Sequence, residues 1–161
     1  MLGNITYFLL VLISYLGLAV GVIISHFAKE EIKPGQKYFR VAKHVLFGTI
    51  FFLFGIHLGI HEVFVLALVI VTSILSYVWD TKIHFVNTNW FYYSFFAVIM
   101  YETRLSELVM VIATLIFIFG LVSASIKMSK LLDSSIYSNI KKMLLDNSLF
   151  ILLSIALVIA F

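Results

Sequence analysis

The residues best suited to chemistry in this chain are two histidines and a glutamate that lie close together. His57 and His61 are four positions apart, and Glu62 follows directly. On a helix, this spacing places both imidazoles on one face, about 5–6 Å apart at Cβ. Neutral imidazoles beside a carboxylate suit the binding of zinc or another divalent cation, or the relay of protons. We therefore treat His57, His61 and Glu62 as a candidate metal site; the alternative is a pair of interfacial histidines without a ligand.

No other pattern in the sequence specifies a reaction. His61-Glu62 is not a zincin motif, because no second histidine follows at the required spacing. The absence of cysteine excludes disulfides, thiolate metal sites, iron–sulfur clusters and covalently attached haem. Ser94 has no acid or base near it in the sequence and is a poor candidate nucleophile. We predict no catalytic residue and no cofactor; the alternative is a divalent metal at the cluster of His57, His61 and Glu62.

The composition indicates that lipid solvates much of the chain. Of its 161 residues, 63% are hydrophobic and only 12% are charged, against about 45–50% and about 25% in soluble domains. A domain of this size buries only about two-thirds of its surface, so water could not surround so apolar a chain. The net charge of +3 does not indicate a nucleic-acid partner, because the basic residues form no continuous face.

Apolar segments predict an all-α integral membrane bundle of about six transmembrane helices in one domain. A hydrocarbon core of about 30 Å requires about 20 helical residues. The predicted helices cover residues 5–27, 41–60, 63–79, 83–101, 105–126 and 143–161. Asn87, Thr88 and Asn89 interrupt the start of the fourth helix. Residues 130–142 are compatible with either an interfacial amphipathic helix or a solvated loop.

The distribution of cations orients this predicted bundle. With both termini outside, ten of the eleven Lys and Arg residues lie on the inner side and only Arg104 faces outward. Cytoplasmic loops carry such an excess of Lys and Arg. The sequence thus predicts a multi-pass protein of the cell membrane with cytoplasmic loops at 29–40, 80–82 and 127–142. Pro34 and Gly35 suggest a turn in the first of these loops.

Small residues mark the faces on which membrane helices approach one another. The predicted helix-contact glycines are Gly17, Gly21, Gly48, Gly55, Gly59 and Gly120. Gly21 and Gly48 lie at similar depths, so we expect them to face each other. These contacts are compatible with packing inside one chain or with an interface between subunits.

The segment from Glu30 to Phe39 reads E-E-I-K-P-G-Q-K-Y-F. It resembles a loop in small archaeal membrane proteins, in which an acidic pair precedes Lys-Pro-Gly and a Lys-Tyr-Phe that opens the next helix. The resemblance covers about ten residues. It implies a multispanning membrane protein of archaeal type and brings no activity, cofactor or catalytic residue with it.

Three functions are compatible with these observations. The central third of each predicted span lacks ionisable residues, which normally mark ion paths and proton relays. The leading hypothesis is therefore a non-enzymatic membrane scaffold or an accessory subunit of a membrane assembly. A small channel or facilitator is the first alternative, and a metal-binding or histidine-dependent membrane enzyme is the second. The expected partners are the lipid bilayer and other membrane proteins or further copies of the chain.

Overall fold

The computed structural model of the chain describes residues 4–82, 89–129 and 135–160, and every regular element in these ranges is an α-helix. The helices are α1 (Asn4–Phe27), α2 (Lys29–His57), α3 (Glu62–Lys82), α4 (Asn89–Glu102), α5 (Leu108–Met128), α6 (Ile136–Asp146) and α7 (Leu149–Ala160). Only Asn147 and Ser148 separate α6 from α7, so these two helices form the halves of one rod. The predicted all-α architecture is confirmed.

Four rods in the described part of the chain are long and apolar enough to cross a membrane. They are α1, α2, α5 and the α6–α7 rod, with 24, 29, 21 and 25 residues. At about 1.5 Å per residue, each exceeds a hydrocarbon core of about 30 Å. The apolar part of α3, Glu62–Leu75, is shorter, and α4 has 14 described residues. Residues 83–88, predicted to begin the fourth helix, lie outside the described residues.

Helix α5 lies at the centre of the bundle. It packs extensively against α1 and α2 and also contacts α4, while α7 packs mainly against α4, and α3 against α2. The core around α5 is aromatic. Phe119 of α5 lies 4.9 Å from Phe96, and Tyr93 lies 5.5 Å from Phe150, between ring centroids in edge-to-face geometry. Tyr15 of α1 stacks on Phe150 at 6.0 Å. Such pairs add about 0.5–1.5 kcal/mol each to the packing.

The segment predicted as a loop with a turn at Pro34 is helical, so this prediction was wrong. Residues 29–40 form the first turns of α2, and Ala28 alone separates α2 from α1. Proline lacks one backbone N–H, so near the start of a long helix it removes a single hydrogen bond. Ile32, in this part of α2, is buried, with 2% of its surface exposed. Likewise, residues 80–82 belong to the last turn of α3 rather than to a loop.

The last predicted span, 143–161, differs from the observed rod at its start and in its continuity. α6 begins at Ile136, where the Ser135 hydroxyl caps the helix by accepting a hydrogen bond from the Ser138 N–H at 3.3 Å. The rod is interrupted at residues 147 and 148. The Asn147 amide donates to the Met143 carbonyl at 2.8 Å, because short polar side chains compete with the helix for backbone groups. Residues 130–134 and Phe161 lie outside the described residues.

Candidate functional site

Small residues let α1 and α5 approach until backbone touches backbone. A Cβ added at Gly17 would lie 2.2 Å from the Phe117 carbonyl oxygen, and one at Gly120 would lie 2.9 Å from the Gly17 carbonyl carbon. One turn further along α1, a Cβ at Gly21 would lie 2.7 Å from the Ala124 Cβ. These glycines therefore form a contact between two helices of the same chain.

The same contacts show that α1 and α5 run in the same direction. Gly17 lies beside Gly120, and eight residues further along α1 the Ser25 hydroxyl donates to the Ser125 hydroxyl at 3.0 Å. The N-terminal ends of α1 and α5 consequently lie at the same end of the bundle.

The glycines of α2 make a second contact, with α3. A Cβ at Gly55 would lie 2.6 Å from a methyl of Val65, and one at Gly48 would lie 3.1 Å from a methyl of Val69. Gly59 lies in the turn after α2 with a φ of +72°, and no atom comes within 4 Å of its added Cβ. The expectation that Gly48 faces Gly21 was wrong, because Gly48 faces α3 and Gly21 faces α5.

Helix α3 lies at the edge of the bundle and is the most exposed apolar helix. Its contacts with α2 follow every fourth residue, through Val65, Val69, Ser73 and Tyr77. No other helix in the described chain packs extensively against it. Large apolar side chains on its other faces are 49–72% exposed, and they are Val63, Phe64, Leu66, Leu68, Ile70, Val71, Ile74 and Leu75. This uncovered surface is the strongest candidate for an interaction site.

His57 and His61 do not share a helical face. α2 ends at His57 and the chain turns at Gly59, so His61 precedes α3 and its Nδ1 accepts a hydrogen bond from the Val63 N–H at 3.4 Å. His57, His61 and Glu62 are all exposed. Within residues 4–82, 89–129 and 135–160, no group of three or more His, Asp or Glu side chains is placed to hold a metal ion. The helical spacing that suggested a metal site therefore does not apply here.

An ion pair joins α5 to the end of α6. The Lys127 Nζ lies 2.5 Å from an Asp146 carboxylate oxygen, and both side chains are partly buried. The Tyr15 hydroxyl of α1 donates to the Leu144 carbonyl oxygen of the same α6 turn. Together these contacts hold the interrupted rod at its break. Sequence patterns did not predict this pair, because Asp146 lies inside a segment predicted as an apolar span.

A buried cation joins α2 to α4. Lys43 is 5% exposed, and its Nζ lies 4.5 Å from the centroid of the Tyr92 ring. The neighbouring His44 Nδ1 lies 2.7 Å from the Arg40 carbonyl oxygen. A desolvated ammonium over an aromatic face is stabilised by about 2 kcal/mol. Sequence reasoning placed Lys43 only among the inner-side cations, and nothing in the sequence pairs it with Tyr92.

At the end of the bundle that holds the start of α1, polar side chains from three elements meet. The Arg104 guanidinium lies over the Tyr101 ring, 3.7 Å from its centroid. The buried hydroxyls of Tyr7 and Ser154 lie near each other without hydrogen-bond geometry. These groups bring α1, the turn after α4, and α7 together.

Several hydroxyls of the apolar stretches bond back to their own helices. Ser94 donates to the Trp90 carbonyl at 2.8 Å, and Thr114 donates to the Met110 carbonyl at 2.9 Å. An activated nucleophile instead needs a hydrogen bond to a general base. The geometry of these hydroxyls therefore favours helix packing over catalysis.

Comparison with known proteins adds no functional information. No protein-family model, curated protein or solved structure matches this chain. A functional proposal therefore depends on the contacts and exposed surfaces described above.

Proposed function

We propose that this chain is an integral membrane protein that acts as a non-enzymatic scaffold or accessory subunit of a larger membrane assembly. The four long apolar rods support membrane insertion. The proposal of assembly is based on the uncovered surface of α3. This helix contacts the bundle through one row of side chains, and its other apolar faces are exposed. Without a hydrophobic drive between helices in lipid, close packing and hydrogen bonds determine which helices associate.

The proposed topology places six helices across the cell membrane with both termini outside. Ten of the eleven Lys and Arg residues then face the cytoplasm. The parallel packing of α1 and α5 supports this arrangement, because both helices would run from the outside inward.

Cysteine labelling tests this topology, because the chain has no cysteine of its own. We expect a membrane-impermeant maleimide to label Tyr38→Cys and Ser138→Cys from the cytoplasmic side. We expect it to label Ile60→Cys, in the turn between α2 and α3, from the opposite side. All three positions are exposed. Labelling of Tyr38→Cys and Ile60→Cys from the same side would contradict the topology.

Site-specific photo-crosslinking tests the role of α3. Ile70 on α3 and Ile13 on α1 are 51% and 52% exposed, and they are the ninth and tenth residues of their helices. A photo-reactive residue at position 70 is expected to give a discrete protein adduct in native membranes, whereas the same residue at position 13 is expected to contact only lipid. Equal yields of protein adducts at both positions would refute a specific role for α3.

The composition of the adduct separates the possible partners. An adduct with a different membrane protein supports the accessory role, and an adduct of twice the mass of the chain indicates self-association instead. The channel alternative is tested by ion flux in liposomes that contain the purified chain alone. Flux that scales with the amount of protein would favour a channel and would count against a scaffold.

A further inference from the structure

A continuous exposed row runs along α2 and changes from cationic to apolar. Every fourth residue from Lys29 is exposed, through Lys33, Lys37, Val41 and Val45. Val41 and Val45 are 60% and 61% exposed. Residues four apart form a ridge on a helix surface, so these five side chains make one strip, which we call the α2 ridge. Its first three positions are lysines and the next two are apolar.

The lysines of the α2 ridge are not used by the fold. None of the three forms an ion pair with another residue of the described chain. Glu30 and Glu31 lie off the ridge, in the first turn of α2, where carboxylates are favoured by the positive end of the helix dipole. Ile32, on a different face of this segment, is buried. The ridge therefore presents three free ammonium groups in a fixed row.

The length of α2 places the change from lysines to valines along the α2 ridge near a membrane surface. Its 29 residues extend about 43 Å, against a hydrocarbon core of about 30 Å. The helix must therefore tilt or project beyond the core. The polar first turns lie in the headgroup region, and Val41 and Val45 lie in the hydrocarbon region. Tyr38, which is 78% exposed, lies at this boundary, where aromatic side chains are favoured.

We propose that the α2 ridge binds an anionic phospholipid of the inner leaflet. The headgroup phosphate contacts the ammonium groups of Lys33 and Lys37, and an acyl chain lies along Val41 and Val45. Lys29 adds a further positive charge at the headgroup. A free anion or an acidic soluble peptide matches the lysines but not the exposed valines that continue the row, so the apolar half of the ridge selects a lipid.

This inference rests on the membrane insertion proposed above. Insertion is checked first, by whether the purified full-length chain needs detergent to stay in solution. Lipid binding is then measured by native mass spectrometry of the chain in uncharged detergent mixed with phosphatidylglycerol or phosphatidylcholine. A chain that needs detergent but shows no preference for phosphatidylglycerol refutes the lipid site alone.

Matched double variants locate the site. Lys33→Gln/Lys37→Gln removes two lysines of the ridge, and Lys141→Gln/Lys142→Gln removes two exposed lysines of α6. Each cation near an anionic membrane surface strengthens binding, so we expect the loss of two lysines to lower the affinity of the ridge variant for phosphatidylglycerol about 30-fold. The α6 variant is expected to keep most of the wild-type affinity. An equal loss in both variants would mean that net charge alone attracts the lipid, which would overturn the proposal.

Added salt and a variant that keeps both positive charges provide a second test of the lipid site. At 1 M salt the Debye length falls to about 3 Å, so the preference for phosphatidylglycerol over phosphatidylcholine is expected to vanish in wild type. Lys33→Arg/Lys37→Arg keeps both charges and is expected to retain binding. Loss of binding in this conservative variant would also overturn the proposal.

Discussion

Gly17→Ala is expected to destabilise the bundle by about 3 kcal/mol, because the added methyl meets backbone rather than a movable side chain. The Phe117 carbonyl oxygen lies 2.2 Å from the position of that Cβ, and the Phe117 Cα lies at 2.9 Å. α1 and α5 must move apart to accept the methyl, and this loosens the most extensive helix–helix contact in the bundle. The alanine gains at most about 1 kcal/mol of helix propensity in return.

Thermal unfolding in detergent, followed by helical circular dichroism, measures this change. Gly35→Ala is the matched control, because its added Cβ meets only the ring of Phe39, at 3.1 Å, and a ring end can shift. The control is expected to be as stable as wild type or slightly more stable. Equal stability of Gly17→Ala and Gly35→Ala would show that α1 and α5 do not pack as closely as described.

Removal of Lys127 is the change with the second largest expected effect. Lys127→Met leaves the Asp146 carboxylate partly buried without its cation, and we expect a loss of about 2 kcal/mol. Breaking a fully buried pair costs about 3–5 kcal/mol, and the exposure of these side chains, 22% and 32%, reduces that figure. Unfolding of the purified variant in detergent measures the loss.

Reversal of both charges distinguishes pairing from packing. Lys127→Asp/Asp146→Lys restores an ion pair in the opposite sense and is expected to recover more than half of the loss. Lys142→Met, at an exposed position of α6, removes a cation without breaking a contact and is expected to leave stability unchanged. If the reversed pair is as unstable as Lys127→Met, the ion pair does not fasten α5 to α6.

The helices of this chain were predictable from the sequence where apolar runs end in polar residues. α1 ends at Phe27 as predicted, where the apolar run stops and only Ala28 separates it from the charged residues that open α2. The predicted and observed ends of α5 differ by two or three residues. In these segments, hydrophobicity alone decides the outcome, since about 20 apolar residues have few alternatives to a helix.

Two boundaries escaped prediction because local signals competed with contacts from distant residues. Pro34 and Gly35 are typical of turns, yet this segment is helical and buries Ile32. Asn147 and Ser148 are of residue types that also occur inside helices, yet here they interrupt the rod. The Tyr15 hydroxyl, which donates to the Leu144 carbonyl, stabilises the backbone there, and it comes from a helix 129 residues earlier in the chain.

Some features of the candidate sites were also predictable from residue spacing, and others were not. Sequence spacing marked glycines that do lie in tight helix contacts, such as Gly17 and Gly55, but it assigned Gly21 and Gly48 to each other. Spacing along one helix predicts which residues share a face, but not which helix that face meets. The exposure of α3 was also unpredictable, because an apolar helix at the edge of a bundle has the same composition as one inside it.

The pairing of α1 with α5 has a consequence for how the protein is made. Ser25 and Ser125, which touch across this pair, are 100 residues apart. At about 5–20 residues per second, a ribosome needs about 5–20 s to synthesise the residues between them. During that interval α1 has only its slight contact with α2, and its glycine face has no permanent neighbour. Synthesis of the chain therefore passes through an intermediate in which the glycine face of α1 is complete but its partner helix α5 has not yet been made.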